Sequence, residues 1–243
     1  MSLRISKRLK RLLTSILVVS AISASAYLLG WSSLLSVAQV SVSGSGAANL
    51  VLNELSRNGI EPKTGDQLAR VDVRSIKRTL NQLDWISSSD VSRNWFNKKL
   101  SIVVKERVAI AKTISVQNAS VNFDSKGFIF TPTSPNQLMA QGKLPSVTSQ
   151  SRNNEDLTAI ATLLEQIPSD LRYLLLDLES ISITKSSFIL MDTRLNASTL
   201  RINWGGATDI GQKSKVLTAL LKLPENKAIK QVDLSQPDSP IVS

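Results

Sequence analysis

The chain has 243 residues, a formal charge of +10, and neither His nor Cys. Those absences exclude disulfide staples, Cys nucleophiles, the Ser-His-Asp triad and the usual zinc sites built on His or Cys. Five of the 29 Lys and Arg fall in the first eleven residues, leaving 24 basic against 19 acidic groups in the remainder, too mild a balance to argue for nucleic acid as a partner.

Residues 12–35 read LLTSILVVSAISASAYLLGWSSLL and contain no Asp, Glu, Lys or Arg. As a helix they would extend about 36 Å, enough for a hydrocarbon core of roughly 30 Å. Arg4, Lys7, Arg8, Lys10 and Arg11 precede the run, and no charged residue follows until Glu54. The positive-inside rule therefore keeps 1–11 in the cytoplasm as a basic tail and sends everything from Val37 across the membrane. A cleaved signal peptide, with Ala24-Ser25-Ala26 as its cleavage site, is the rival reading. The apolar run continues past that site through Leu28, Leu29, Trp31, Leu34 and Leu35, which favours a retained transmembrane helix. Either reading exports the body.

Val37 to Val42 alternates as a half-buried strand, and Ser43-Gly44-Ser45-Gly46 breaks it. Ala48, Val51, Leu52 and Leu55 have helical spacing, with Asn58-Gly59 as the stop. After a loop with Pro62 and Gly65, Asp72 can N-cap a second helix reaching about Leu83, striped by Val73, Ile76 and Leu80. Arg70, Arg74, Lys77 and Arg78 collect on its basic flank, either as a solvated face or as a docking patch. Strands are expected over 86–93 and from Leu100, where Leu100, Ile102 and Val104 alternate with Ser101, Val103 and Lys105. Strand, helix, helix, strand, strand gives a two-layer α+β unit over 37–107. Trp85 and Trp95 are expected to close its core. Arg93 and Glu106 are expected to pair across neighbouring strands, a contact worth about 0–1 kcal/mol when exposed.

Residues 108–234 read as a second, mixed β domain with two helices. Strands are expected over 108–116, 120–123 and 128–131, with Asp124-Ser125-Lys126-Gly127 as a hairpin turn that accounts for Asp124 better than acid catalysis does. Pro132 to Asn154 reads as a loop with a short packed piece at 144–147. A helix over 155–166 stops at Pro168, and Leu171 to Leu178 follows as an apolar segment. Further strands are expected at 181–183, 187–192 and 199–204, then a helix over 210–223 and a last strand over 229–234. The tail 235–243, with Pro237 and Pro240, reads as irregular.

Several short runs resemble the FtsQ/DivIB family of bacterial cell-division proteins. They are Val42-Ser43-Gly44, Trp85 after the second helix, Val91-Ser92-Arg93-Asn94-Trp95, Leu100 through Ala111, and Asp124 through Phe130. Phe96 and Val108 stand where the family's pattern has proline. The resemblance implies a POTRA domain over 37–107 followed by a β domain, both outside the cytoplasmic membrane. It implies a non-enzymatic, single-pass divisome scaffold that links early and late division proteins at the septum. Its partners would be membrane proteins of the FtsB/DivIC and FtsL type, and the septal cell-wall synthase. In this family the last β-domain strand accepts a partner strand along its open edge. Carried onto this chain, the segment is Lys230, Gln231, Val232, Asp233 and Leu234. A candidate POTRA surface is Arg74, Lys77, Arg78 and Arg93.

The sequence contains no Walker A loop, G-x-G-x-x-G or G-x-S-x-G, and no metal or cofactor is expected. Two other readings remain open at this point. One is an exported POTRA-type chaperone or periplasmic adaptor with a cleaved signal. The other is a Ser-Lys cell-wall enzyme, for which Thr184-Lys185-Ser186-Ser187 offers only chance proximity.

Overall fold

The computed structural model describes residues 7–30, 35–114, 119–149, 154–196 and 198–243. The chain divides into two compact units, residues 1–106 and 107–243.

The first unit begins with helix α1 (Lys7–Gly30). It starts five residues before the expected span and ends at Gly30; residues 31–34 of the apolar run lie outside the described residues. Residues 10–27 are exposed along their whole length, including Leu13, Leu17, Val19 and Ile22. Among the described residues, no helix is long and apolar enough to cross a membrane. Four basic residues in its first five positions lower the apolarity of α1 taken as a whole.

After it come β1 (Gln39–Ser43), α2 (Ala48–Arg57), α3 (Val73–Asn81), β2 (Ile86–Asn94) and β3 (Lys99–Glu106), the expected order. The sheet runs β1-β3-β2, with β1 parallel and β2 antiparallel to β3. Alternation on β3 buries Leu100, Ile102 and Val104 against Val51 and Leu55 of α2 and Ile76 and Leu80 of α3, all nearly inaccessible. The Asp72 carboxylate accepts the Arg74 and Ser75 N–H groups at 3.0 Å each, capping α3. Hydrogen bonds from Ser75 hold its pKa below the ordinary value. Gly44 sits at φ +83, and an added Cβ would meet the Val104 carbonyl oxygen at 2.3 Å.

Two expectations for this unit are corrected. Trp85 is buried, but Trp95 is 39 % exposed on the β2–β3 turn. Arg93 and Glu106 do not meet, because the antiparallel register sets Arg93 opposite Leu100 and Glu106 opposite Ile86, at opposite ends of the hairpin. The Arg93 guanidinium instead donates to the Val71 carbonyl, and Glu106 accepts from the Ser45 hydroxyl.

Among the described residues, the second unit contains two sheets. Strands β4 (Ala111–Ile114), β5 (Ser120–Phe123) and β6 (Ile129–Phe130) form a small antiparallel sheet. The β5–β6 turn is held by Asp124, which accepts the Lys126 and Phe128 N–H groups at 2.9 and 3.0 Å and pairs with Arg107. Gly127 supplies the positive φ that the turn needs.

The expected loop after Pro132 contains a helix, α4 (Pro135–Ala140). Ser134 caps it, accepting the Gln137 N–H, while the Gln137 side chain reaches back to the Ser134 N–H, a complete capping box. Next come β7 (Val147–Ser149), α5 (Asn154–Gln166) and α6 (Tyr173–Leu176), the last within a segment expected only to be apolar. Strands β8 (Leu178–Ile183), β9 (Ile189–Leu195) and β10 (Ser198–Gly205) form a meander. Then follow α7 (Ile210–Lys222), β11 (Gln231–Asp233) and β12 (Ile241–Val242). The tail is thus irregular only as far as Pro240. These strands form one six-stranded sheet in the order β12-β11-β10-β9-β8-β7. Its core holds Trp204, Leu157, Ile160, Leu200, Ile202 and Leu217, each about fully buried.

Candidate partner-binding edge

Within the segment Lys230–Leu234, residues Gln231–Asp233 form strand β11, and both of its sides are occupied. Toward the interior, β11 runs parallel to β10 with Val232 opposite Ile202 and Asp233 opposite Asn203. Val232 and Leu234 are fully buried, whereas Lys230 and Gln231 are exposed. The Asp233 carboxylate accepts from the Asn203 side chain at 2.9 Å and from the Ser235 N–H at 2.8 Å. Burial pushes its pKa up, but the hydrogen bonds from Ser235 and Asn203 outweigh that and leave it below the ordinary value.

Toward the outside, β12 covers β11. Gln231 and Ser243 exchange hydrogen bonds, the Gln231 N–H to the Ser243 oxygen at 3.0 Å and the Ser243 N–H to the Gln231 carbonyl at 3.1 Å. Val232 and Val242 form the next pair, and Asp233 and Ile241 the one after. In an antiparallel ladder, pairs that exchange hydrogen bonds alternate with pairs that do not. The N–H and C=O of Val242 therefore point away from β11, into the free edge of the sheet. Ile241 is 68 % exposed and Val242 38 %. Among the described strands, β12 is the last in the order, so the open edge is one strand beyond the expected segment. Pairing between 231–233 and 241–242 spans a proline-containing turn that no local alternation announces.

The POTRA surface residues separate into two groups. Arg74, Lys77 and Arg78 are exposed on α3, and the Lys77 ammonium lies 3.3 Å from Asp90. Arg93 is half-buried and committed to Val71, the residue just before the α3 cap. A basic flank therefore exists on α3 itself, and Arg93 braces the helix start.

Thr184-Lys185-Ser186-Ser187 is a tight β8–β9 turn, closed by the Ser187 N–H to the Thr184 carbonyl. A cleft of about 380 Å³ between the end of α5 and α7 is lined by Gln166, Asp170, Ser214, Lys215 and Thr218 among others. The Ser214 hydroxyl is buried there without a hydrogen-bond partner. Its neighbour Lys213 donates to the Gly206 carbonyl at 2.8 Å, and burial lowers its pKa. Among the described residues, no group of His, Cys, Asp and Glu could hold a metal ion.

Residues 35–107 match the family model described as the POTRA domain, FtsQ-type. Over 251 aligned positions, covering 99 % of this chain and 88 % of the relative, the sequence is 28 % identical to the cell division protein FtsQ of Streptomyces bingchenggensis. The matched domain has the observed β-α-α-β-β order, and the full-length match continues through the β domain. The chain thus carries an FtsQ-type POTRA domain and is similar along nearly its whole length to a cell division protein of the FtsQ/DivIB family.

Proposed function

We propose that this chain is a non-enzymatic, single-pass scaffold of the divisome, which recruits FtsB/DivIC- and FtsL-type membrane proteins at the septum. The FtsQ-type POTRA domain and the similarity to a cell division protein FtsQ support a division role. The observation that carries the mechanism is the one-sided end of the six-stranded sheet, where Val242 directs its N–H and C=O outward. A partner segment adding there gains backbone hydrogen bonds for affinity and side-chain contacts at alternate positions for choice. Lys230–Leu234 serves this arrangement as the strand that holds β12 in place. The exposed α3 flank, Arg74 and Arg78 in particular, is a second surface suited to an acidic partner.

The anchor in this proposal is the apolar run 12–35. Its support is the exposure of α1 on all sides, since an apolar helix without a protein core to cover it needs another apolar medium. Arg8, Lys10 and Arg11 then mark the cytoplasmic end.

Replacing Val232 is a poor test, because that residue is buried between two strands. Val242→Pro removes an outward N–H while leaving the reciprocal Gln231–Ser243 bonds intact, a site where edge strands tolerate proline. Capture of the FtsB/DivIC-type partner from the same cell is expected to fall at least about tenfold, with no change in far-UV circular dichroism. Undiminished capture by a folded Val242→Pro chain would refute strand addition at β12.

A further inference from the structure

The β2–β3 turn exposes more apolar surface than its geometry requires. The Asn94 side chain accepts the Asn97 N–H at 3.0 Å, and Lys98 adopts φ +51 to close the turn. Neither device calls for an aromatic residue, yet Phe96 is 98 % exposed beside the 39 % exposed Trp95. Lys98 and Lys99 follow directly, so the tip reads Trp-Phe-Asn-Lys-Lys. The Lys98 carbonyl accepts the Ala38 N–H at 2.8 Å, and Gln39 pairs with Lys99. The tip is thereby fixed to the start of β1.

Ala38 lies three residues beyond Leu35, the end of the apolar run, so extended chain separates them by at most about 10 Å. Val37 is also bonded to the loop carrying Lys63, through the Gly65 N–H to the Val37 carbonyl and the Val37 N–H to the Asp66 carbonyl. The Asp66 carboxylate in that loop accepts the Lys63 N–H at 2.7 Å. Two aromatic rings and three lysines therefore gather at the end of the sheet where the chain leaves the proposed span.

We propose that Trp95 and Phe96 insert into the outer interface of the membrane, with Lys98 and Lys99 on anionic lipid headgroups. Aromatic rings favour the bilayer interface, and lysines are drawn to anionic headgroups within a Debye length. The inference rests on the anchor reading above, because the three-residue tether is what brings the tip to the lipid. Contact at a second point would limit how the POTRA unit swings about its tether.

The test uses the full chain, which contains no Cys, so Phe96→Cys accepts a single dye. Ser88→Cys serves as control. Ser88 is exposed and pairs with Lys105, about 20 Å along β3 from Lys99. Each labelled chain is reconstituted into vesicles of phosphatidylcholine and phosphatidylglycerol containing a lipid with a headgroup-level spin label, then washed at alkaline pH. The expected result is a chain that stays with the vesicles, quenched at 96 and unquenched at 88. Replacing Lys98 and Lys99 with Glu in the 96-labelled chain weakens the contact equilibrium about fivefold per lysine, and pure phosphatidylcholine vesicles show the same loss. A retained chain with equal quenching at both positions overturns the tip inference alone. So does a dye at 96 that is shielded only when partner proteins are added, which would make the tip a protein contact. Release by the alkaline wash overturns the anchor, and the tip inference with it.

Discussion

The POTRA sheet and the six-stranded sheet are assembled by opposite routes. In the first, a tight hairpin supplies β2 and β3, and β1 closes the sheet in parallel. In the second, the local meander β8-β9-β10 forms the centre, and strands distant in sequence complete both flanks: β7 on one side, β11 and then β12 on the other. On the proposed reading, recognition falls on the second of these sheets. The POTRA sheet is covered by helices that reach it within a few residues, whereas the β-domain sheet ends in a two-residue strand with half its backbone groups unused.

The largest way to break this comparison is Trp204→Ala. Trp204 is fully buried in the β-domain core, so the loss should be about 3–5 kcal/mol. In a urea titration followed residue by residue by hydrogen exchange, the second unit is expected to weaken while the POTRA unit keeps its protection. Matched weakening of both would show that they do not fold as separate units.

Gly44→Ala acts on the other side of the comparison. A Cβ at φ +83 and 2.3 Å from the Val104 carbonyl forces the β1–α2 corner apart, which should cost about 2–4 kcal/mol. Protease cleavage is then expected within 35–106, with 107–243 intact.

The smallest effect is electrostatic. Hydrogen bonds from Arg201 hold Asp192 below the ordinary carboxyl value, with Arg201 Nε 2.7 Å from the carboxylate. A carboxylate depressed by folding adds stability that is fully present above about pH 4 and is lost as pH falls through its folded-state value. Arg201 is 56 % exposed, so the pair is worth only about 0.2–1 kcal/mol. Arg201→Gln should be slightly less stable than the parent chain at neutral pH, with the gap closing in acid. A gap that persists at pH values well below the carboxyl range would assign the effect to packing of the Arg201 stem.

Local chemistry was legible in the sequence. Asp72 as a cap, Gly127 in its turn and the alternation of β3 all depend on residues within a few positions of each other. The α4 helix was also signalled, by Ser134-Pro135-Asn136-Gln137 as a capping box with proline at the first helical position, but the surrounding polar composition masked it. Register was not legible. Nothing in the spacing of Arg93 and Glu106 shows that the hairpin sets them at opposite ends, and nothing in Ile241-Val242 shows that it returns to cover β11. For the candidate site, the family resemblance pointed to Lys230–Leu234, which lies one strand inside the edge of the six-stranded sheet; the edge strand itself returns across a proline-containing turn that local alternation does not announce.

The most direct test of the division role is depletion of this protein in its own cells, with septa counted under a cell-wall stain and either the parent chain or Val242→Pro supplied in its place. The account predicts that septa disappear on depletion, return with the parent chain and return poorly with Val242→Pro. Normal septum formation in depleted cells would contradict it.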